Sequence, residues 1–121
     1  MSQPPSGTRV LIVEDDTIIA MTAEDMLDEV GCTTAAVAGT VAEALARAQD
    51  TDFDIALLDL NLKDEDSLPV ARHLRDSGKR FIFATGYDGL PASSGFADAP
   101  VISKPYRIDQ LAAMIAETLA A

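Results

Sequence analysis

The chain has 121 residues, with 20 Asp and Glu against 9 Lys and Arg, a formal net charge of −11 and a pI near 4.2. A chain of this size buries roughly two thirds of the surface its unfolded form exposes, enough for one core, so a second output domain is not expected. Its 48% hydrophobic content argues against disorder, the acidic balance argues against nucleic-acid binding, which needs clustered Lys and Arg, and the single cysteine, Cys32, excludes an internal disulfide or a cysteine zinc site.

Residues 1–8, MSQPPSGT, read as a frayed polar tail with nothing to bury. They lack the basic start and apolar core of a signal peptide, and no apolar run approaches the roughly 18 residues that span a bilayer. A cytoplasmic protein without membrane contact is expected, its one domain covering residues 9–121.

Short, continuous apolar runs then alternate with segments of helical periodicity. Val10 to Val13, Thr34 to Ala38, Ile55 to Leu58, Phe81 to Ala84 and Val101 to Ile102 are the expected strands, apolar on consecutive positions as parallel strands covered on both faces are. Between the first two, Ile19, Ala23, Met26, Leu27 and Val30 mark a helix face stopped by Gly31. Asp16 is placed to cap this helix at Thr17. Val41, Ala44, Leu45 and Ala48 mark the second helix, with Thr40 and Glu43 as a capping-box pattern. A third helix is expected from about Ser67 to Asp76, with Pro69 in its first turn. Ile108, Leu111, Ala112, Ile115 and Leu119 mark the last. From Tyr87 to Ala99 the periodicity fades among glycines, serines and a proline, so a fourth helix there is expected to be short, mobile or missing. Alternating strands and helices with short connections imply an α/β fold, a five-stranded doubly wound parallel sheet with helices on both faces.

Ligands in such sheets bind beyond the carboxyl ends of the strands. The residues that follow the apolar runs there are Glu14, Asp15 and Asp16, then Asp59, then Thr85, then Lys104. Carboxylates crowded together raise one another's pKa and call for a cation. Oxygen ligands with room for water suit Mg²⁺. An aspartate beside Mg²⁺ and a lysine can act as a nucleophile toward phosphorus, with the metal and Lys104 neutralising phosphoryl oxygens and Thr85 hydrogen-bonding another. Asp59 is the candidate nucleophile.

The segments VLIVEDD (Val10 to Asp16), IALLDLNL (Ile55 to Leu62), FATGY (Phe83 to Tyr87) and ISKPY (Ile102 to Tyr106) resemble the four signature blocks of bacterial two-component response-regulator receiver domains. The resemblance implies a flavodoxin-like sheet of order 2-1-3-4-5 and a phosphoprotein that signals in a phosphorelay. It implies that Glu14 and Asp15 hold Mg²⁺ together with Asp59 and the backbone carbonyl of Asn61. On the same grounds Asp59 accepts the phosphoryl group, Thr85 is the switch hydroxyl, Lys104 binds phosphate, and the Lys104–Pro105 bond is of the kind often cis. The donor is then a sensor histidine kinase or a histidine phosphotransferase, and the output a downstream protein partner or the draining of phosphate, with no enzymatic turnover beyond the domain's own phosphorylation and slow dephosphorylation. FATGY further resembles the stand-alone, single-domain FAT GUY regulators linked to HWE-type kinases.

Two departures stand out. Lys63 replaces the family's proline four residues after the acceptor, with Asp64 to Ser67 replacing the turn beyond it, and Val101 stands where the aromatic switch residue is expected; Tyr87 is the candidate to supply that ring. Plainer readings hold for other residues. Asp64, Glu65 and Asp66 read as a solvated loop, His73 as a surface histidine, Cys32 as a small buried hydrophobe and Met26 as core, with the exposed face of the first helix as the family's common kinase-docking surface. Competing functions are an unphosphorylated binding module of the same fold and a phosphohydrolase resembling haloacid dehalogenases, which instead places its nucleophile after the first strand.

Overall fold

The computed structural model describes residues 3–86 and 94–121. Strands β1 (Arg9–Val13), β2 (Thr33–Ala38) and β3 (Ile55–Asp59) are followed by a two-stranded hairpin of β4 (Asn61–Leu62) and β5 (Glu65–Asp66), then β6 (Arg80–Thr85) and β7 (Val101–Ser103). Helices α1 (Thr17–Glu29), α2 (Val41–Asp50), α3 (Leu68–Asp76) and α4 (Ile108–Ala120) connect or follow them. The main sheet is parallel throughout, in the order β2-β1-β3-β6-β7. Because the hairpin takes two labels, this is the doubly wound 2-1-3-4-5 arrangement expected from the sequence.

Period-two alternation sorts the apolar strands onto two faces. Leu11, Val13, Ala56, Leu58 and Phe83 pack with Ala44 of α2 and Val70, Ala71 and Leu74 of α3. Val10, Ile12, Ile55, Leu57, Ile82 and Ala84 pack with Ala20, Ala23 and Leu27 of α1 and Leu111 and Ile115 of α4. The continuous runs are thus two interleaved cores read in a single line of sequence.

α1 differs in its buried stripe. Ala20, Ala23 and Leu27 are buried, Met26 is partly so, and Ile19, expected on the core face, is 38% exposed. Spacings of three and seven residues seat the small alanines on the sheet, and Ile19 turns toward the helix flank. Asp16 caps α1 as expected, its Oδ1 accepting the N–H groups of Ile18 and Ile19. At the far end the Cys32 N–H donates to Leu27 and the Gly31 N–H to Asp28, a paired closure that needs the left-handed φ of +85° at Gly31.

Residues 5–8, expected as part of a frayed tail, form a turn. The Thr8 N–H and hydroxyl both donate to the Pro5 carbonyl, the Gly7 N–H donates to Gly31, and Pro4 and Thr8 are buried. Backbone groups hold this segment where side chains offered no apolar surface to predict it. Residues 87–93, part of the stretch where a fourth helix is expected to be short, mobile or missing, lie outside the described residues. Beyond them, Phe96 is buried and makes edge contacts with Phe81 and Phe83, and the Arg75 guanidinium stacks 4.4 Å above its ring.

A Cβ at Gly31 would meet nothing within 4 Å, so its substitution tests the backbone alone. Gly31→Ala is expected to lower the unfolding free energy by roughly 1–2 kcal/mol, the cost of a left-handed L-residue, read as a lower urea midpoint with unchanged slope.

Candidate functional site

Parallel register brings the strand ends to one edge. Val13 pairs with Leu58, Asp59 with Ala84 and Thr85 with Ser103, so the residues just past β1 and β7 meet the last residues of β3 and β6. The structure places Glu14, Asp15, Asp59, Thr85 and Lys104 together there, as the sequence reading requires. Carboxylate oxygens of Glu14, Asp15 and Asp59 lie within 4.8 Å of one another, with Glu14 and Asp59 buried and Asp15 the most open of the three.

The Lys104 ammonium holds the cluster together, 2.8 Å from Glu14 Oε1 and 3.2 Å from Asp59 Oδ2. Its backbone N–H donates to the Thr85 carbonyl at 2.8 Å, and the adjoining Lys104–Pro105 peptide is cis. Thr85 is buried, at 2% exposure. The Asn61 N–H donates to Asp59 Oδ1 at 3.3 Å, and the Asp16 N–H to Glu14 Oε2 at 3.2 Å.

Burial pushes the Glu14 carboxyl above its usual range; the Lys104 hydrogen bond opposes this, and Asp59 adds to it. Burial by itself pulls the Lys104 ammonium down, but its bond to Glu14 and the charges of Asp59 and Glu14 outweigh that, leaving it above its ordinary value. The result is a lysine that stays charged beside carboxylates that compete for it. The arrangement offers a nucleophilic carboxylate, a fixed cation and acidic oxygens for a second cation.

Tyr106 lies beside the cluster, its hydroxyl pushed up by burial. With Ile19, Thr22, Met26 and Pro105 it lines an apolar groove of about 310 Å³ that reaches Lys104. Ile18 and Met21 are exposed on the first turns of α1, at 75% and 57%. The Tyr87 assignment lies outside the described residues. Val101, where a ring was expected, pairs with Phe83 and packs against the aromatic face of the core.

Asp64, Glu65 and Asp66 are exposed, as expected of a solvated stretch, but the stretch is a hairpin and not a plain loop: Glu65 Oε2 accepts the Val41 N–H at 3.0 Å, and Asp66 Oδ1 accepts the Leu68 N–H at 3.0 Å. Both roles depend on partners distant in the chain or on a turn with no propensity signal. Ser67, at the N-cap of α3, makes no cap bond, and among the described residues its buried hydroxyl has no hydrogen-bond partner. Glu43 likewise reaches the Gly39 N–H, not that of Thr40, so the capping box closes one residue early while the Thr40 hydroxyl still accepts the Glu43 N–H.

A family model described as the response regulator receiver domain matches residues 10–116. The cell cycle response regulator CtrA of Brucella abortus is 33% identical over 112 residues, 88% of this chain and 48% of CtrA. The chain therefore spans about half the length of the curated relatives it matches. Among solved structures, SdrG from Sphingomonas melonis aligns at 40% identity with a TM-score of 0.82, covering 97% of this chain and 99% of SdrG. The response regulator PhyR from Brucella abortus aligns at 26% identity with a TM-score of 0.81, covering 97% of this chain and 49% of PhyR.

The raised pKa of Glu14 has a definite sign in stability. A carboxyl that binds its proton more tightly folded than unfolded contributes stability that is present below the ordinary value of 4.5 and is lost as pH rises through the higher folded value. Glu14→Gln is therefore expected to gain stability relative to the unsubstituted domain between pH 4 and pH 7, measured without divalent cations as the pH dependence of the difference in urea midpoints.

Proposed function

The chain belongs to the response regulator receiver domain family, a phospho-accepting component of two-component signalling, and on that premise we propose that Asp59 takes the phosphoryl group from a sensor histidine kinase or a histidine phosphotransferase. The observation that carries this assignment is the Lys104 ammonium bridging Asp59 and Glu14 at 3.2 and 2.8 Å, in a pocket that also gathers Asp15 and Thr85.

The donor set fits Mg²⁺. It consists of oxygen atoms, two of the carboxylates are already buried together, and Asp15 leaves a side open to water. Glu14, Asp15, Asp59 and the Asn61 carbonyl would hold the ion. When bound, it neutralises charge on the transferring phosphoryl group.

The remaining chemistry belongs to the protein. A carboxylate oxygen of Asp59 attacks phosphorus of the donor's phosphoimidazole. The P–N bond breaks, its electron pair stays on the imidazole nitrogen, which takes a proton from solvent, and an acyl phosphate forms on Asp59. Lys104, charged throughout, exchanges its contact with the carboxylate for one with a phosphoryl oxygen, and the Thr85 hydroxyl binds another. Burial of Asp59 and Thr85 supports slow hydrolysis of the acyl phosphate, in a domain that acts only on its own phosphorylation. The added charge of about −1.5 to −2 then re-pairs Lys104 and Thr85, which shifts the domain between two states.

The exposed Ile18 and Met21 beside the apolar groove support docking of the kinase across α1. The FATGY run supports placement with the stand-alone FAT GUY regulators and an HWE-type kinase, and the nearly complete coverage of SdrG supports action as a separate single domain. The response is passed to another protein, or phosphate is shuttled or drained. The setting is the cytoplasm; among the described residues no helix is long and apolar enough to cross a membrane.

Intact mass after incubation with acetyl phosphate and Mg²⁺ tests the acceptor. A single phosphoryl adduct is expected on the unsubstituted chain and none on Asp59→Asn; an adduct surviving in the variant overturns the assignment. For docking, Ile18→Asp is expected to slow phosphoryl transfer from the kinase by about ten-fold or more, the effect of losing a buried apolar anchor, while labelling by acetyl phosphate stays unchanged.

A further inference from the structure

The hairpin after Asp59 does more than turn the chain. Asn61 donates its N–H to Asp59 Oδ1 at 3.3 Å. Across the hairpin Asn61 pairs with Asp66 and Leu62 with Glu65, leaving only Lys63 and Asp64 as the turn. Its base is closed by the Ser67 N–H on the Leu60 carbonyl at 2.9 Å, and Leu62 is buried at 4% exposure in the same core as Ala44 of α2. A segment so clamped moves as a unit, and Glu65 extends from it to accept the N–H of Val41, 24 residues away, at 3.0 Å.

The geometry points to Glu65 as a positioning residue for the acceptor loop, fastening the turn end of the hairpin, where it pairs with Leu62, to the first turn of α2. This rests on the reading of Asp59 as acceptor and of the Asn61 carbonyl as a metal ligand. A helix start leaves its first N–H groups to water or to local caps. α2 already has a local acceptor in the Thr40 hydroxyl, which takes the Glu43 N–H. Glu65 adds an anchor from the loop whose other end bonds the nucleophile. Cutting it frees the hairpin to tilt about Leu62 and loosens Asn61. By linkage, whatever fixes Asn61 at the cation or on Asp59 is felt at the Val41 N–H, through the Asn61 hydrogen bond to Asp59, the peptide link from Asn61 to Leu62, the strand pairing of Leu62 with Glu65 and the Glu65 hydrogen bond to Val41.

The test uses the full chain labelled with ¹⁵N, titrated with Mg²⁺ and then with acetyl phosphate, for the unsubstituted protein, Glu65→Gln, Glu65→Ala and Thr40→Ala. The Val41 amide signal is expected to shift with Mg²⁺ in the unsubstituted chain and in Glu65→Gln, which keeps an accepting oxygen. In Glu65→Ala that shift is lost, and Mg²⁺ affinity falls by about two- to thirty-fold, the range for a residue coupled through a contact network. Thr40→Ala removes a cap from the same helix turn without touching the hairpin and is expected to leave Mg²⁺ affinity unchanged. Unchanged affinity and Val41 response in Glu65→Ala, or an equal loss in Thr40→Ala, overturns the proposal. The Mg²⁺ arm decides it without phosphorylation, so absence of a phosphoryl adduct on Asp59 counts against the acceptor reading alone.

Discussion

The contact on which the site depends is one ammonium between two buried carboxylates. Lys104 comes from the loop after β7, Glu14 from the end of β1 and Asp59 from the end of β3, so the bridge joins three non-consecutive parts of the chain. Removing the lysine leaves carboxylates that repel, with no cation of the chain beside them. The site is therefore an unbalanced one: three acids against one base, with Glu14 pushed toward protonation by its own burial. A divalent cation and a phosphoryl group, one positive and one negative, are ligands whose arrival redistributes that imbalance.

The imbalance is held in place by the sheet. Parallel pairing in register sets Asp59 beside Ala84 and Thr85 beside Ser103, and the two apolar cores on either side prevent any strand from slipping by one residue without turning its buried face outward. Fixed strands and adaptable connections at their carboxyl ends are complementary features of such a device. The acceptor lies at the rigid end, and the groups that respond to it lie on the loops, hairpin and helix starts beyond.

Those outer parts are joined by carboxylates used as caps. Asp16 caps α1, Glu65 reaches α2 and Asp66 reaches α3. Asp16, Glu65 and Asp66 are thereby placed at helix starts, where the helix dipole favours negative charge. The receiver-family match spans residues 10–116, and the similarity to SdrG runs along nearly the whole of both chains, while the relatives represented by CtrA are about twice as long as the matched region.

The strands, their parallel order and the site residues were legible in the sequence because each rests on a local signal: consecutive apolar residues, a helical stripe, an acidic residue directly after a strand. Gly31 and Asp16 were legible for the same reason, since a left-handed closure and a helix cap are properties of adjacent residues. The rotation of α1 that exposes Ile19, the turn at Pro5 to Thr8 and the hairpin after Asp59 were not. Each is decided by a partner outside the local window, whether the sheet surface under α1, the carbonyl of Gly31 or the N–H of Val41. By itself the sequence determined which segments pair and which charged residues gather at the edge of the sheet; only the tertiary structure decided that Lys104 bridges Glu14 and Asp59 and that Glu65 reaches Val41, because such contacts depend on distances of a few ångströms that spacing along a chain does not encode.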